Sequence, residues 1–558
     1  LKKFFGKYRD VLTPEQRKQR RAERILAVAS GVFMGAAFPP LPFYYFLFVG
    51  LIPFLSVIER KKGLGEINRT TYLFAFVFNL ITLYWVGSWT PNADKFLMIS
   101  GVALLFFNPI LFLIPSTLFY FTKKIFNVRA AFYLVPFFWA SYEYAYTVTE
   151  FRFPWLTLGN GLPYAKSFIQ IADVIGVYGL TFLIVAINVF LFFGLQKYLK
   201  EKRLDYKYIA IAFFIFLIPL IYGHYRLKNY QPAEKTLKVG LIQPDFDPTN
   251  KWSGGSVEEQ LQTYLRLSKK TIKEGAKLIV WPETALPVYL LMPGNERTLN
   301  EIKNFCDSND VFIMTGIPDV IFYPDSSKAP SDAKRTRGGK SYYTSYNSVI
   351  LFSPYEKEIQ KYHKIMLVPF GERVPLVDVL PFLGDLIKWE VGLSGWNVGK
   401  EQNDFHLRGV ALNNFASKKD SVTAAGIICI ESIYPDFVSE FVKNGAEFIA
   451  VVTNDSWYGD SSGPYQHKEI SVLRAVENRR SVVRAANGGI SCLINPLGIT
   501  VKETKMFEQT AITVNVPLRK ELTFYTEHPV LIPIICSVIS LWIIGLFFLT
   551  KLKVKLKV

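Results

Sequence analysis

Eight predominantly apolar stretches constrain this chain before any other feature does. Seven lie in its first part, at roughly 25–38, 42–58, 71–90, 97–121, 130–147, 176–195 and 207–224, and an eighth lies at 529–550. A helix needs about 20 apolar residues to cross the hydrocarbon core of a bilayer, and most of these stretches comply. The first two are short or split by Pro39–Pro40, which leaves their boundaries loosest. At 558 residues the chain is too long for one small domain, and with 50% apolar and 16% aromatic residues much of its mass suits lipid. The expectation is a helical membrane bundle over 25–226, a folded domain over 236–520 and an eighth transmembrane helix.

The formal charge of +18 invites a nucleic-acid reading, but its distribution argues otherwise. Basic residues collect in 1–24, 59–69, 122–129, 196–207 and the tail 551–558, which are every second connection between the apolar stretches. Excess Lys and Arg mark cytoplasmic loops. Both termini are therefore expected in the cytoplasm and the 236–520 domain on the other face. No cleaved signal peptide is expected, because no small-residue cleavage site follows a short apolar region. Glu143 lies inside the fifth stretch, where an ionisable side chain serves a function, snorkels to the interface or pairs locally. Trp89, Trp139 and Trp155 fit an interfacial aromatic belt, and Trp155 has the alternative of helping to admit lipid.

From Leu237 the pattern changes to short β-rich runs: LKVGLIQ, KLIVWPE, VFIMTG, SYNSVILFS, AAGIICIE, EFIAVVTN and ISCLIN. Val257–Lys273 and Gln466–Ala486 read as amphipathic helices, the second with Ile470, Leu473, Val476 and Val483 on one face. Strands alternating with helices indicate a layered α/β domain. No phosphate-binding glycine motif is present, so no nucleotide cofactor is indicated. Cys306, Cys429, Cys492 and Cys536 show no CxxC spacing, and the five histidines form no HExxH pattern, so no metal site is expected. No disulfide is expected either. The stretch 371–400, with Trp389 and Trp396, is long for a connection and reads as a lid or a packed Ω-loop.

Three segments share one design, an apolar run that ends at a chemically active side chain. KLIVWPET ends at Glu283, KYHKIMLVPFGE carries Lys364 and Glu372, and GIICIES carries Cys429 and Glu431. Singly, each has a bland explanation as a buried thiol or a solvated charge. Together they supply a nucleophile, a base to take its proton and a cation for an oxyanion.

In order and spacing, Glu283, Lys364 and Cys429 resemble the Glu-Lys-Cys triad of the nitrilase, or carbon-nitrogen hydrolase, superfamily. The closest resemblance is to its membrane-embedded apolipoprotein N-acyltransferase branch. QPDFDPTNKW ending at Trp252, NDSWYGD (Asn454–Asp460), ANGGISCLINPLG (Ala486–Gly498) and FPWLTLGNG (Phe153–Gly161) add to it. One departure stands out: the branch's usual Cys-Tyr-Glu reads Cys429-Ile430-Glu431 here.

The resemblance implies an α-β-β-α sandwich for the 236–520 domain, held outside the bacterial inner membrane. It implies that Cys429 takes an acyl group from a phospholipid as a thioester and passes it to the N-terminal amine of a diacylglyceryl-modified apolipoprotein. That is the last step of lipoprotein maturation, and it needs no cofactor. Glu283 is then the base, Lys364 the oxyanion stabiliser, and Glu372 and Glu431 hold Lys364 or the base in place. Trp252, Ile430, Trp457 and Tyr458 are expected to wall the substrate from water, and the chain is expected to act as a monomer. Two other readings stand beside this one. A membrane-anchored amidase would use the same triad with water as acceptor, and a lipid-binding or transport scaffold would have lost the activity.

Overall fold

A computed structural model of the protein describes residues 13–89, 95–248, 251, 256–336, 338–339, 341–377, 379, 395–412 and 419–556. Trp252 and Trp389 lie outside the described residues, as does most of the stretch that reads as a lid.

Helical structure covers each of the eight apolar stretches. The helices are α1 (Pro14–Ala36), α2 (Ile52–Arg60), α3 (Leu64–Leu83), α4 (Lys95–Leu111), α5 (Leu113–Ile125), α6 (Val128–Thr147), α7 (Ala172–Glu201) and α8 (Tyr206–Lys228). Late in the chain α14 (Leu531–Leu556) packs on α5 and α6. Among the described residues five segments are long and apolar enough to cross a membrane: Leu64–Gly87, Leu97–Ile125, Phe168–Glu201, Tyr206–Lys228 and Leu531–Leu552. The stretch expected at 42–58 is broken into a 3-10 turn (Tyr44–Phe48) and the nine-residue α2, which at 1.5 Å per residue is far too short to span alone.

Glu143 does not snorkel. It is buried in α6, where one carboxylate oxygen accepts from the Leu158 amide (2.9 Å) and the Trp139 indole (3.1 Å). Trp139 and Trp155 are likewise buried rather than interfacial, and only Trp89 of the three is exposed. The Phe153–Gly161 segment runs as short 3-10 turns packed inside the molecule. Gly176 breaks the course of α7 with φ of +63°, and a Cβ there would come within 2.2 Å of the Tyr525 ring, so only glycine fits. The Val177 amide freed by that break donates to Glu477 of the α/β region (2.9 Å).

The rest of the chain forms two stacked sheets. One has the order β13-β1-β2-β3-β5-β4 with β6 also paired to β5, and the other β12-β11-β10-β9-β8-β7. The first is built from β1 (Thr236–Gln243), β2 (Leu278–Val280), β3 (Phe312–Tyr323), β4 (Lys334–Arg335), β5 (Tyr342–Phe352), β6 (Gln360–His363) and β13 (Thr510–Pro517). The second is built from β7 (Phe405–Ala411), β8 (Lys419–Ile428), β9 (Phe448–Thr453), β10 (Ser481–Ala486), β11 (Cys492–Ile494) and β12 (Thr500–Glu503). Parallel strands form the centre of each sheet.

Alternation of side chains sorts the layers, since neighbouring residues of a strand face opposite ways. Leu278 and Val280 of β2 and Val349 and Leu351 of β5 join Phe405, Val422 and Ile428 between the sheets. Ile279, Trp281, Ile350 and Phe352 turn outward under α9 (Val257–Lys273) and α10 (Glu296–Asn309). The helices α11 (Pro435–Lys443) and α12 (Ser462–Asn478) belong to the second sheet, and a short α13 (Phe524–Glu527) leads towards α14. The domain is thus an α-β-β-α sandwich of nitrilase type.

The helix expected over Gln466–Ala486 begins earlier and ends earlier, running over the 17 residues Ser462–Asn478. It stops at Asn478, where Arg479 takes a left-handed φ of 49°, and Ser481–Ala486 is the buried strand β10. The side chain of Arg479 explains the stop. It is buried and donates to Asp173, to the side chain and carbonyl of Gln170, and to the Pro496 carbonyl, fixing the reversal. Val483 is therefore on a strand, not on the helical face shared by Ile470, Leu473 and Val476.

Candidate active site

Each expected catalytic side chain leaves the C-terminal end of a strand. After β2, Pro282 can add no ladder bond and the chain turns, with Thr284 at φ of +42°, to aim Glu283 inward. Gly316 of β3 permits this close packing, because a Cβ there would lie 2.6 Å from the Glu283 Cα. Lys364 follows β6 directly, its amide tied to the Asn347 carbonyl of β5 (2.8 Å). A tight turn over Val368–Glu372 then folds Glu372 back, and the Glu372 carboxylate accepts from the Val368 amide (2.9 Å).

These placements bring Lys364 between two carboxylates. Its ammonium is 1% exposed and lies 2.8 Å from Glu372 Oε1 and 3.3 Å from Glu283 Oε1. Asn347 bridges the same pair, donating from Nδ2 to Glu283 Oε1 (2.7 Å) and Glu372 Oε1 (3.1 Å). The Asn454 amide donates to the other Glu283 oxygen (3.1 Å). Burial works against the charge on Lys364, but Glu372 and then Glu283 outweigh it and hold the ammonium well above the usual lysine range. Lys364 is a fixed cation here, and this is no surface ion pair. Asn347 was not singled out from the sequence, although a lone amide inside the apolar run SYNSVILFS was its signal.

Cys429 is the first residue after β8, not part of it. It opens a 3-10 turn (Cys429–Ile433) with φ of +51°, a strained conformation for a non-glycine residue. Burial first, and Glu283 second, push its thiol pKa well up, with Lys364 pulling the other way, so the resting sulfur is a neutral thiol. Buried side chains brace the turn. The Ser432 hydroxyl donates to the Cys429 carbonyl (2.8 Å), and His467 Nε2 lies 3.1 Å from that carbonyl and 3.0 Å from Ser432 Oγ. His467 Nδ1 meets Asp455 (2.8 Å), whose other oxygen accepts from Arg484 (2.9 Å). Ser432 and Asp455 lie in the GIICIES and NDSWYGD motifs, but His467 lies in none, and no motif joins the three. They are a single Ser, His and Asp spread over 35 residues.

Glu431 is placed differently from expectation. It contacts neither Lys364 nor Glu283. Fully buried, it accepts through Oε1 from Tyr362 OH (2.6 Å), the Ile365 amide (2.8 Å) and the Met366 amide (3.2 Å), and through Oε2 from the Ile428 amide (2.9 Å). It therefore pins together the two chain segments that carry Lys364 and Cys429. Burial raises its pKa to about 7 against the pull of those donors.

Glu283, Lys364, Glu372 and Cys429 line a cavity of about 180 Å³. Trp457 and Tyr458 line it as expected, and Trp396 adds a further aromatic wall. Ile430 does not: it is 3% exposed and packed in the core, because the turn after Cys429 directs it away from the cavity. The remaining wall comes from the helical region. Leu97, Ser100, Leu104 and Phe107 form one stripe of α4 at helical spacing, joined by Val86, Tyr146, Phe151 and Phe153. The thiol thus opens on to an apolar surface of the membrane helices. Among the described residues no group of three or more His, Cys, Asp or Glu could hold a metal ion.

The two regions are bolted together behind the cavity. Gln466 of α12 accepts from the Trp85 (3.1 Å) and Trp155 (2.7 Å) indoles, and the Trp155 ring lies 5.5 Å from that of His467.

Residues 30–190 match the apolipoprotein N-acyltransferase N-terminal domain family, and residues 238–521 match the carbon-nitrogen hydrolase family. The apolipoprotein N-acyltransferase of Chlorobaculum tepidum is 34% identical over 521 residues, covering 92% of this chain and 94% of its own. That of Geobacter metallireducens is 30% identical over 531 residues, covering 93% and 94%. Among solved structures, an amidase from Nesterenkonia sp. aligns at 15% identity with a TM-score of 0.36, covering 54% of this chain and 94% of its own.

Proposed function

The chain belongs to the apolipoprotein N-acyltransferase family, so it is a membrane acyltransferase of lipoprotein maturation, and we propose that it works through a thioester on Cys429. The observation that carries this reading is the buried Lys364 ammonium held by Glu372 and Glu283 in the cavity that also exposes the Cys429 thiol.

In the first half-reaction Glu283 takes the thiol proton as the sulfur attacks an acyl ester carbonyl of a phospholipid. The oxyanion that forms is stabilised by Lys364 and a backbone N–H beyond the nucleophile. Collapse breaks the C–O bond, and the leaving alkoxide takes the proton from Glu283 to depart as a lysophospholipid. In the second, the N-terminal amine of an S-diacylglyceryl cysteine attacks the thioester and gives a proton to Glu283. The C–S bond breaks, an amide is released and the thiolate recovers that proton. The apolar stripe of α4 would hold the acyl chain, while Trp457, Tyr458 and Trp396 keep water from the thioester.

The alternating basic connections support eight crossings, the second made jointly by the Tyr44–Phe48 turn and α2, with both termini in the cytoplasm and the sandwich, residues 236–520, on the periplasmic face of the inner membrane. Glu283, Lys364, Glu372 and Cys429 all come from one chain, and the monomer is the working unit in this reading.

Labelled phospholipid supplied to the purified protein without acceptor tests it. A labelled thioester adduct should accumulate, and a diacylated lipopeptide should discharge it as amide. Cys429→Ala should form no adduct, and Lys364→Ala or Glu283→Ala should lose several orders of magnitude in rate while still folding. Release of free fatty acid with no transfer to the lipopeptide would mean a hydrolase instead.

A further inference from the structure

Where α7 and α8 meet the chain leaving β13 there is a cavity of about 570 Å³ that shares no lining residue with the catalytic one. We propose that it is a second lipid site, which holds the phosphodiester headgroup of an anionic phospholipid.

Its cations come from separate elements: Arg226 in the last turn of α8, Arg479 after α12 and Arg519 after β13. Arg479 is already committed, to Asp173, Gln170 and Pro496. Arg226 and Arg519 have capacity left. Arg226 pairs with Asp173 (2.9 Å) but remains 40% exposed. Arg519 donates through Nη2 to the Gln231 carbonyl and lies 4.8 Å over the Tyr230 ring, while its Nε is buried with no hydrogen-bond partner. Two guanidiniums from separate elements lining one cavity suit the oxygens of a phosphodiester.

The carboxylates on the lining do not spoil this. Both oxygens of Asp173 are occupied, Oδ1 by Tyr222 (2.8 Å) and Oδ2 by the two arginines, and Glu521 lies within electrostatic reach of Arg480. Three guanidiniums, of Arg226, Arg479 and Arg519, against the two carboxylates of Asp173 and Glu521 leave the lining net positive, which favours an anionic headgroup over a zwitterionic one.

The surroundings favour a lipid over free phosphate. α8 is one of the five membrane-length helices, and the cavity lies at the end from which the chain enters the sandwich. The cavity's Tyr225, Leu522 and Phe524 are exposed, at 63%, 41% and 47%, as expected where a protein meets the headgroup and upper acyl region. A headgroup bound here ties the exit of β13 to the end of α8 and fixes the height of the sandwich above the leaflet.

The test uses the full-length Cys429→Ala protein, which cannot consume lipid, in neutral detergent. Native mass spectrometry and thermal unfolding are followed with phosphatidylglycerol, phosphatidylcholine or inorganic phosphate added. Phosphatidylglycerol should be retained and raise the unfolding temperature. Adding Arg226→Gln and Arg519→Gln together should weaken that retention by about tenfold per guanidinium. Because Arg226 also supports Asp173, Arg519→Gln alone is the control for folding and should show a single tenfold loss. Equal retention by the variants overturns the site. Equal effects of phosphatidylcholine overturn its anionic selectivity, and equal protection by inorganic phosphate overturns the lipid in favour of a free anion.

Discussion

Glu431→Gln separates positioning from folding, because two effects of that change oppose each other in stability but not in activity. The carboxylate accepts four hydrogen bonds from the segments bearing Lys364 and Cys429. An amide has one oxygen, so whichever way it faces, its NH2 group meets at least one buried N–H donor. An orphaned buried donor costs about 1–3 kcal/mol. Against this, the substitution removes a buried charge. Raising the Glu431 pKa from its ordinary 4.5 to about 7 means that burying the carboxylate costs about 3 kcal/mol above pH 7. The sign follows from the proton count: between about pH 4.5 and 7 the folded state holds the extra proton, so this group makes stability fall as pH rises through that window. Near pH 7.5 the two effects nearly cancel, and the variant should unfold within a few degrees of the parent. Activity has no such compensation. With the Ile428 or the Ile365 and Met366 anchor lost, sulfur and ammonium drift apart, and a misplacement of about 1 Å costs about 100-fold. The rate of adduct formation from labelled phospholipid, measured beside thermal unfolding, checks both halves. The parent should also lose rate as pH falls through about 7, where protonation forfeits one acceptor position, and the variant should lack that dependence. A variant that forms adduct at the parental rate would refute the reasoning.

Other consequences follow from the same geometry. Iodoacetamide should alkylate Cys429 slowly near neutral pH and faster as pH rises, since burial holds the thiol protonated; fast alkylation at pH 6 would show a resting thiolate instead. His467→Ala should slow adduct formation by about 10–100-fold with little change in phospholipid KM, because His467 braces the Cys429 carbonyl and touches no substrate. Gln466→Leu should lower unfolding stability by about 1–3 kcal/mol through the orphaned Trp155 indole, read by thermal unfolding in detergent. Ser100→Trp should block the apolar stripe of α4 and raise phospholipid KM while leaving the protein folded.

The layered domain was readable because its strands advertise themselves. Runs such as Lys277–Val280 and Phe448–Thr453 are short, β-branched and closed by turn residues, and both became strands. Gln466–Ala486 was misread for a physical reason. The helix is buried on every side, so apolar spacing could not mark its end, and what stops it is a side chain reaching α7 more than 300 positions earlier in the sequence. The triad segments were legible as a set, whereas the braces of the site were not. Ser432, Asp455 and His467 are ordinary residues until folding brings them behind Cys429. Ile430 shows the opposite error. Its position next to the nucleophile suggested a substrate wall, but consecutive residues of a 3-10 turn point in different directions, and this one faces the core.

The protonation state of the sulfur fits a cavity walled on one side by apolar residues of the helical region. With Cys429 neutral, Glu283, Glu372 and Lys364 leave one net negative charge among apolar walls. A resting thiolate would add a second, unpaired and largely out of water, at a desolvation cost of several kcal/mol. In the proposed mechanism the proton passes from Cys429 to Glu283 as the sulfur attacks, so the total stays at one while negative charge moves from the carboxylate to an oxyanion beside Lys364. Glu372 makes that movement possible. At 2.8 Å from the ammonium, against 3.3 Å for Glu283, it keeps Lys364 charged and in place when Glu283 becomes neutral. In this mechanism the second carboxylate anchors the ammonium throughout, so that Lys364 stays in place to meet the oxyanion while the first carboxylate gives up its charge.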